Sequence, residues 1–176
     1  KNIIDVGFLP EGEIHERSEG TTPYEMARSG KYPFQRIMLA ADMASGLSPW
    51  ATKPLIGYLK DKDSAIRYWG AMGLLMRGKQ GVKAGGGELE KALKDNSPYV
   101  RVVAAEALGK YGSEKQIKMA VKTLGKTADP LENGCFPSML AMNAIDHLDD
   151  KAKSVLSKIQ SMPRTPTGID KRFQGY

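Results

Sequence analysis

A stretch of this chain repeats itself 34 residues later, and that period constrains the fold more tightly than any other feature. Leu55 to Gly78 reads LIGYLKDKDSAIRYWGAMGLLMRG, and Leu89 to Gly112 reads LEKALKDNSPYVRVVAAEALGKYG. Shifted by 34, Leu55, Leu59, Lys60, Asp61, Arg67, Ala71, Leu74 and Gly78 recur as Leu89, Leu93, Lys94, Asp95, Arg101, Ala105, Leu108 and Gly112. A unit of this size with helical spacing inside it cannot bury its apolar face alone, so copies must stack. The expectation is an all-α solenoid, an architecture that binds or braces more often than it catalyses.

Helical spacing continues on both sides of the two copies. Phe34, Ile37, Met38, Ala41 and Ala44 fall on one face of a helix that begins after Pro33. Ser48-Pro49 reads as a second helix start, Asp63 and Ser97 as caps at equivalent repeat positions, and Ser113 with Gln116 as a capping box. Small residues at Gly70, Ala71, Gly73, Ala104, Ala105 and Ala107 permit close helix approach, while Trp69 and Tyr68 read as packing between repeats. Gly78 and Gly112 are expected to end their helices, and Gly85-Gly86-Gly87 to be a flexible link rather than a phosphate loop. Ile117, Ala120, Val121 and Leu124 mark the next face. Beyond a longer connection at Gly134 to Pro137, Leu140, Ala141, Ala144, Ile145 and Leu148 continue the pattern. Asp149-Asp150 is expected to cap a last helix carrying Ala152, Val155, Leu156 and Ile159.

The ends differ from this middle. Residues 1–32 are rich in Gly, Pro, Glu and Thr and read as a leader with at most a helical turn near Tyr24 to Arg28. Residues 163–176 carry two prolines, two glycines and no stripe, so they read as an extended arm; the repeat region is 33–162. The chain starts at Lys1 rather than Met and is expected to be a piece of something longer. The single Cys135 forbids an internal disulfide, and no apolar run approaches the roughly 18 residues of a membrane span. A net charge of +6, spread along the chain among acids, favours anionic partners only weakly.

The Asp before the repeated helix, the Arg within it and the AEALG that follows resemble a HEAT-like repeat. DVGFLPEGEIHER, KDKDSAIRYWGAMGLL and SPYVRVVAAEALG together resemble the C-terminal region of bacterial sulfatase-family proteins. The resemblance runs from Asp5 to about Arg164 and implies a HEAT-like right-handed α-solenoid of about four helix pairs with extended arms at both ends. It implies an accessory domain of a sulfuric-ester hydrolase that is periplasmic or extracellular. The domain would brace the catalytic domain of the same polypeptide and shape its substrate region. Calcium and formylglycine would belong to that catalytic domain, not to this stretch, and a sulfated glycan is the implied ligand. The rival reading is an independent repeat scaffold that binds a protein or a nucleic acid.

The family's nucleophile arises from Cys or Ser in a C/S-x-P-x-R motif. Cys135-Phe-Pro-Ser-Met139 matches the start but has Met139 in place of the Arg, so no catalytic residue is assigned. Asp61, Arg67, Asp95 and Arg101 recur with the repeat and are expected to tie neighbouring copies, the alternative being an anion-binding row. Lys115, Lys118, Lys122 and Lys126 share one edge of a helix, either simply solvated or facing a polyanion. That edge lacks the interleaved aromatics of single-strand binders, which disfavours nucleic acid. His15 lies among Glu13, Glu16 and Glu19 without metal-ligand spacing. The resemblance places His15 and Arg17 alongside the catalytic domain or its substrate.

Overall fold

The structure, a computed structural model, describes residues 5–6, 9–10, 20–29 and 33–162. Apart from a short antiparallel pairing of β1 (Asp5–Val6) with β2 (Leu9–Pro10), its regular structure is helical. A single-turn helix, α1 (Pro23–Arg28), precedes the main assembly. The main assembly comprises α2 (Phe34–Ser45), α3 (Thr52–Tyr58), α4 (Ser64–Met76), α5 (Gly78–Ala92), α6 (Pro98–Tyr111) and α7 (Glu114–Thr127). It continues through the one-turn α8 (Pro130–Asn133) to α9 (Cys135–Asp146) and α10 (Lys153–Gln160). Helix α2 packs on α4, α4 on α6, and α6 on α9, while α3 packs on α5 and α10 on α7.

Between these helices lies a core built largely of Leu, Val and Ala. Leu55, Leu74, Leu89, Leu108 and Leu124 are fully buried, each worth about 1.5–3 kcal/mol of transfer from water. Alanines at 71, 104, 105, 107 and 120 join the same cluster and keep the helices close. Gly70 and Gly73 face Leu55: a Cβ at Gly70 would stand 2.8 Å from the Leu55 carbonyl oxygen, and one at Gly73 2.7 Å from the Leu55 methyls. Trp69 is half-buried and meets Tyr68 edge-to-face with ring centroids 5.5 Å apart.

The glycine run corrects an expectation. Gly85, Gly86 and Gly87 are not a link but the interior of α5, and Gly85 and Gly86 are buried. A Cβ at Gly85 would lie 2.5 Å from Leu74 Cδ1, so the missing side chain is what admits Leu74 to the core. Tertiary packing here outweighs the poor helix propensity of glycine, about 1 kcal/mol per residue relative to alanine.

Helix ends differ in their chemistry. Asp63 caps α4 by accepting from Ala65 N–H at 2.9 Å, and Ser113 with Gln116 forms both bonds of a capping box on α7. Ser97 and Ser48 make no side-chain cap bond, and the Ser97 hydroxyl has no partner among the described residues. Ser48-Pro49 opens a 3-10 turn, Pro49–Ala51, that leads into α3. Gly78 adopts φ +58, as a helix-ending glycine does, whereas Gly112 is extended. Asp149 is no N-cap: it takes φ 48 and opens a 3-10 turn, Asp149–Ala152, before α10. The supposed long connection before Pro137 is instead α8, a pivot at Gly134 (φ 82) and the first turn of α9.

Several helix C-termini are closed by cations from distant parts of the chain. Arg77 donates to the carbonyls of Met43, Ala44 and Ser48 around the end of α2, and to Gly73 in its own helix, at 2.9–3.2 Å. Its burial lowers the guanidinium pKa. Lys151 reaches the Gly109 and Lys110 carbonyls at the end of α6, and Lys158 reaches Gly125 near the end of α7. Positive charge at a helix C-terminus opposes the dipole and satisfies carbonyls that have no intrahelical partner. Ser138 does the same without charge, donating to the Ala128 carbonyl at 2.5 Å.

Candidate functional site

The recurring arginines occupy equivalent places and make equivalent bonds. Arg67 Nη1 donates to the carbonyls of Asp61 and Lys62 at 2.9 and 3.0 Å. Arg101 Nη1 donates to the carbonyls of Asp95 and Asn96 at 2.7 and 3.1 Å. Each guanidinium thus clamps the loop before its own helix. The remaining donors cross to the next loop: Arg67 grips both Asp95 carboxylate oxygens at 2.7 and 2.8 Å, and Arg101 reaches Asn133 Oδ1 at 2.8 Å. Arg36 adds a rung at the other end, donating to Asp61 Oδ2 at 2.5 Å.

The acceptors are set by turns of their own. Asp61 Oδ1 accepts from Asp63 N–H at 2.9 Å, and Asp95 Oδ1 accepts from Ser97 N–H at 2.8 Å. Short Asp side chains favour this local bonding, which orients each carboxylate toward its arginine. The Asp95 carboxylate in turn holds the Arg67 proton more tightly, raising the pKa of that guanidinium despite the opposing effect of burial. Three rungs therefore run Arg36–Asp61, Arg67–Asp95 and Arg101–Asn133. Among the described residues, the last of these bonds goes to a neutral amide where Arg67 meets a carboxylate.

Beside this last rung is an open cleft of about 480 Å³. Lys94 enters from the loop after α5, Arg101 from α6, and Lys122 and Lys126 from α7. Glu132 on α8 is the acid among its lining side chains. Leu93 and Met119 supply apolar wall, and Thr123, Thr127 and Asn133 supply hydroxyl and amide groups. Lys94, Lys122 and Lys126 are exposed, and among the described residues they make no ion pair. Chemically, the arrangement offers several N–H donors of one sign around a partly apolar hollow.

The four-lysine edge of α7 is exposed throughout, but only half of it belongs to this cleft. Lys122 and Lys126 line it; Lys115 and Lys118, nearer the start of the helix, do not. Lys94 was visible in the sequence only as a repeat match to Lys60, because its site role depends on a helix far from it in sequence. His15 and Arg17 lie outside the described residues.

Cys135 is half-buried at the start of α9, with its thiol 3.8 Å from the Met139 sulfur. Met139 has no charge to offer a sulfate group, so these residues do not fit formylglycine chemistry. Among the described residues no cluster of three or more His, Cys, Asp or Glu is arranged to hold a metal ion. His147 instead pairs with Glu106, its Nδ1 lying 2.9 Å from Oε1, while Lys110 approaches the same oxygen at 2.8 Å. No protein-family model and no curated protein matches this chain.

Proposed function

We propose that the chain is a HEAT-like, right-handed α-solenoid of four helix pairs that serves as the C-terminal accessory domain of a sulfatase-like hydrolase. It braces the catalytic domain of the same polypeptide and shapes one wall of the substrate region. The observation that carries the scaffold reading is the repeated clamp of Arg67 and Arg101, two residues 34 apart with the same loop-binding role. Packing has to recur in every copy of a repeat, whereas a ligand site does not. The sulfatase part rests on the resemblance of the strings beginning at Asp5, Lys60 and Ser97. On this reading, calcium, formylglycine and sulfate-ester cleavage belong to the catalytic domain, in a periplasmic or extracellular protein.

The cationic cleft gives some support to a second reading, a free-standing repeat scaffold with an anionic partner. The two are separated by expressing the whole encoded polypeptide with and without residues 33–162. The accessory-domain reading predicts aryl-sulfate turnover by the whole protein and a lower melting temperature of the catalytic domain after the deletion. A whole protein without sulfatase activity, or a catalytic domain indifferent to the deletion, would overturn it.

A further inference from the structure

We propose that the cleft between α7, α8 and the loop after α5 binds a small polyanion carrying sulfate or phosphate ester groups, about the size of a disaccharide or mononucleotide. The inference stands apart from the accessory-domain reading, because it rests on the geometry around Lys94, Lys122 and Lys126 alone. Those lysines come from two elements separated in sequence and converge on one hollow, with Glu132 as the opposing acid on its wall. Like charges brought together repel one another, and a bound anion relieves that repulsion. Each ammonium is a compact charge with three donors, suited to the several oxygens of a tetrahedral ester.

The volume of about 480 Å³ lies in the range of small-molecule sites, and Leu93 and Met119 offer a surface for the apolar face of a ring. A long polyanion lying on the helix edge would engage Lys115 and Lys118 equally; a ligand seated in the cleft does not touch them.

The test is calorimetric titration of the 176-residue chain with a sulfated disaccharide, with ADP and with inorganic sulfate at low and physiological salt. We expect saturable one-to-one binding of at least one of the two esters, weakening as salt rises, with inorganic sulfate weaker than the ester that binds. Whether the sugar sulfate or the nucleotide binds more tightly identifies which ester the site takes. Lys122→Glu with Lys126→Glu should weaken Kd at least tenfold, and Lys115→Glu by less than twofold, with unchanged circular dichroism for all. If the double variant fails to fold, Lys94→Glu alone carries the same tenfold expectation. Absence of saturation with both esters, or equal weakening by Lys115→Glu, would overturn the proposal.

Discussion

Removing the Arg67 guanidinium is the sharpest perturbation of the ladder. It makes four contacts of 2.7–3.0 Å, two to the Asp95 carboxylate and two to backbone carbonyls. Side-chain exposure is 15% for Arg67 and 10% for Asp95, so solvent cannot readily replace the lost donors. Breaking one side of a buried pair costs about 3–5 kcal/mol, and this pair is not fully dry. Arg67→Ala should therefore cost about 3 kcal/mol. Arg67→Lys should cost roughly half of that, because an ammonium keeps the charge but cannot fork onto a carboxylate while holding two carbonyls. The assay is urea unfolding, comparing midpoints at constant slope. A double-mutant cycle with Asp95→Ala should give a coupling of about 2 kcal/mol. The same cycle on Arg36–Asp61, where the arginine side chain is 52% exposed, should give about 1 kcal/mol or less. Equal couplings for the two pairs would refute the claim that burial makes the Arg67 rung structural.

Other consequences follow from the packing and the titrating groups. Gly70→Ala should cost about 1–3 kcal/mol in the same urea assay, since its Cβ would meet backbone of Leu55 and Leu59 at 2.8 and 3.1 Å rather than a yielding side chain. Burial, and secondarily the Glu106 carboxylate, raise the Tyr68 phenol above its usual pKa. The stability this represents is present below the unfolded value of about 10 and is lost as pH rises through the folded one. Tyr68→Phe should thus flatten the fall in melting temperature above about pH 10, and an unchanged slope would contradict the assignment. The 176-residue chain should not turn over an aryl sulfate, and mass spectrometry should find an unmodified thiol at Cys135. An aldehyde at that position, or turnover that Cys135→Ala abolishes, would place the chemistry within this chain.

What the sequence made legible depended on whether the responsible contact repeats. Arg67 and Arg101 could be read as a pair because they and the loops whose carbonyls they hold recur at the period. The outer rungs could not, since Arg36 precedes Arg67 by 31 residues and Asn133 follows Asp95 by 38, with an amide replacing the carboxylate. The glycine run misled because local propensity favours a loop, while the decisive fact, Leu74 lying against Gly85, is tertiary. Arg77, Lys151 and Lys158 each close carbonyls at least 29 residues away, which no local pattern announces. The cleft was half-visible for the same reason. One helix shows Lys122 and Lys126 at helical spacing, but Lys94 and the neutral Asn133 rung join them only through the fold.

The most direct test of the accessory-domain account is to read the coding DNA immediately upstream of the Lys1 codon. The account predicts an open frame continuing upstream into a catalytic domain with a C/S-x-P-x-R motif and several acidic residues to hold calcium. A start codon directly before Lys1, or a continuous upstream frame lacking that motif, would contradict it and leave a free-standing repeat protein.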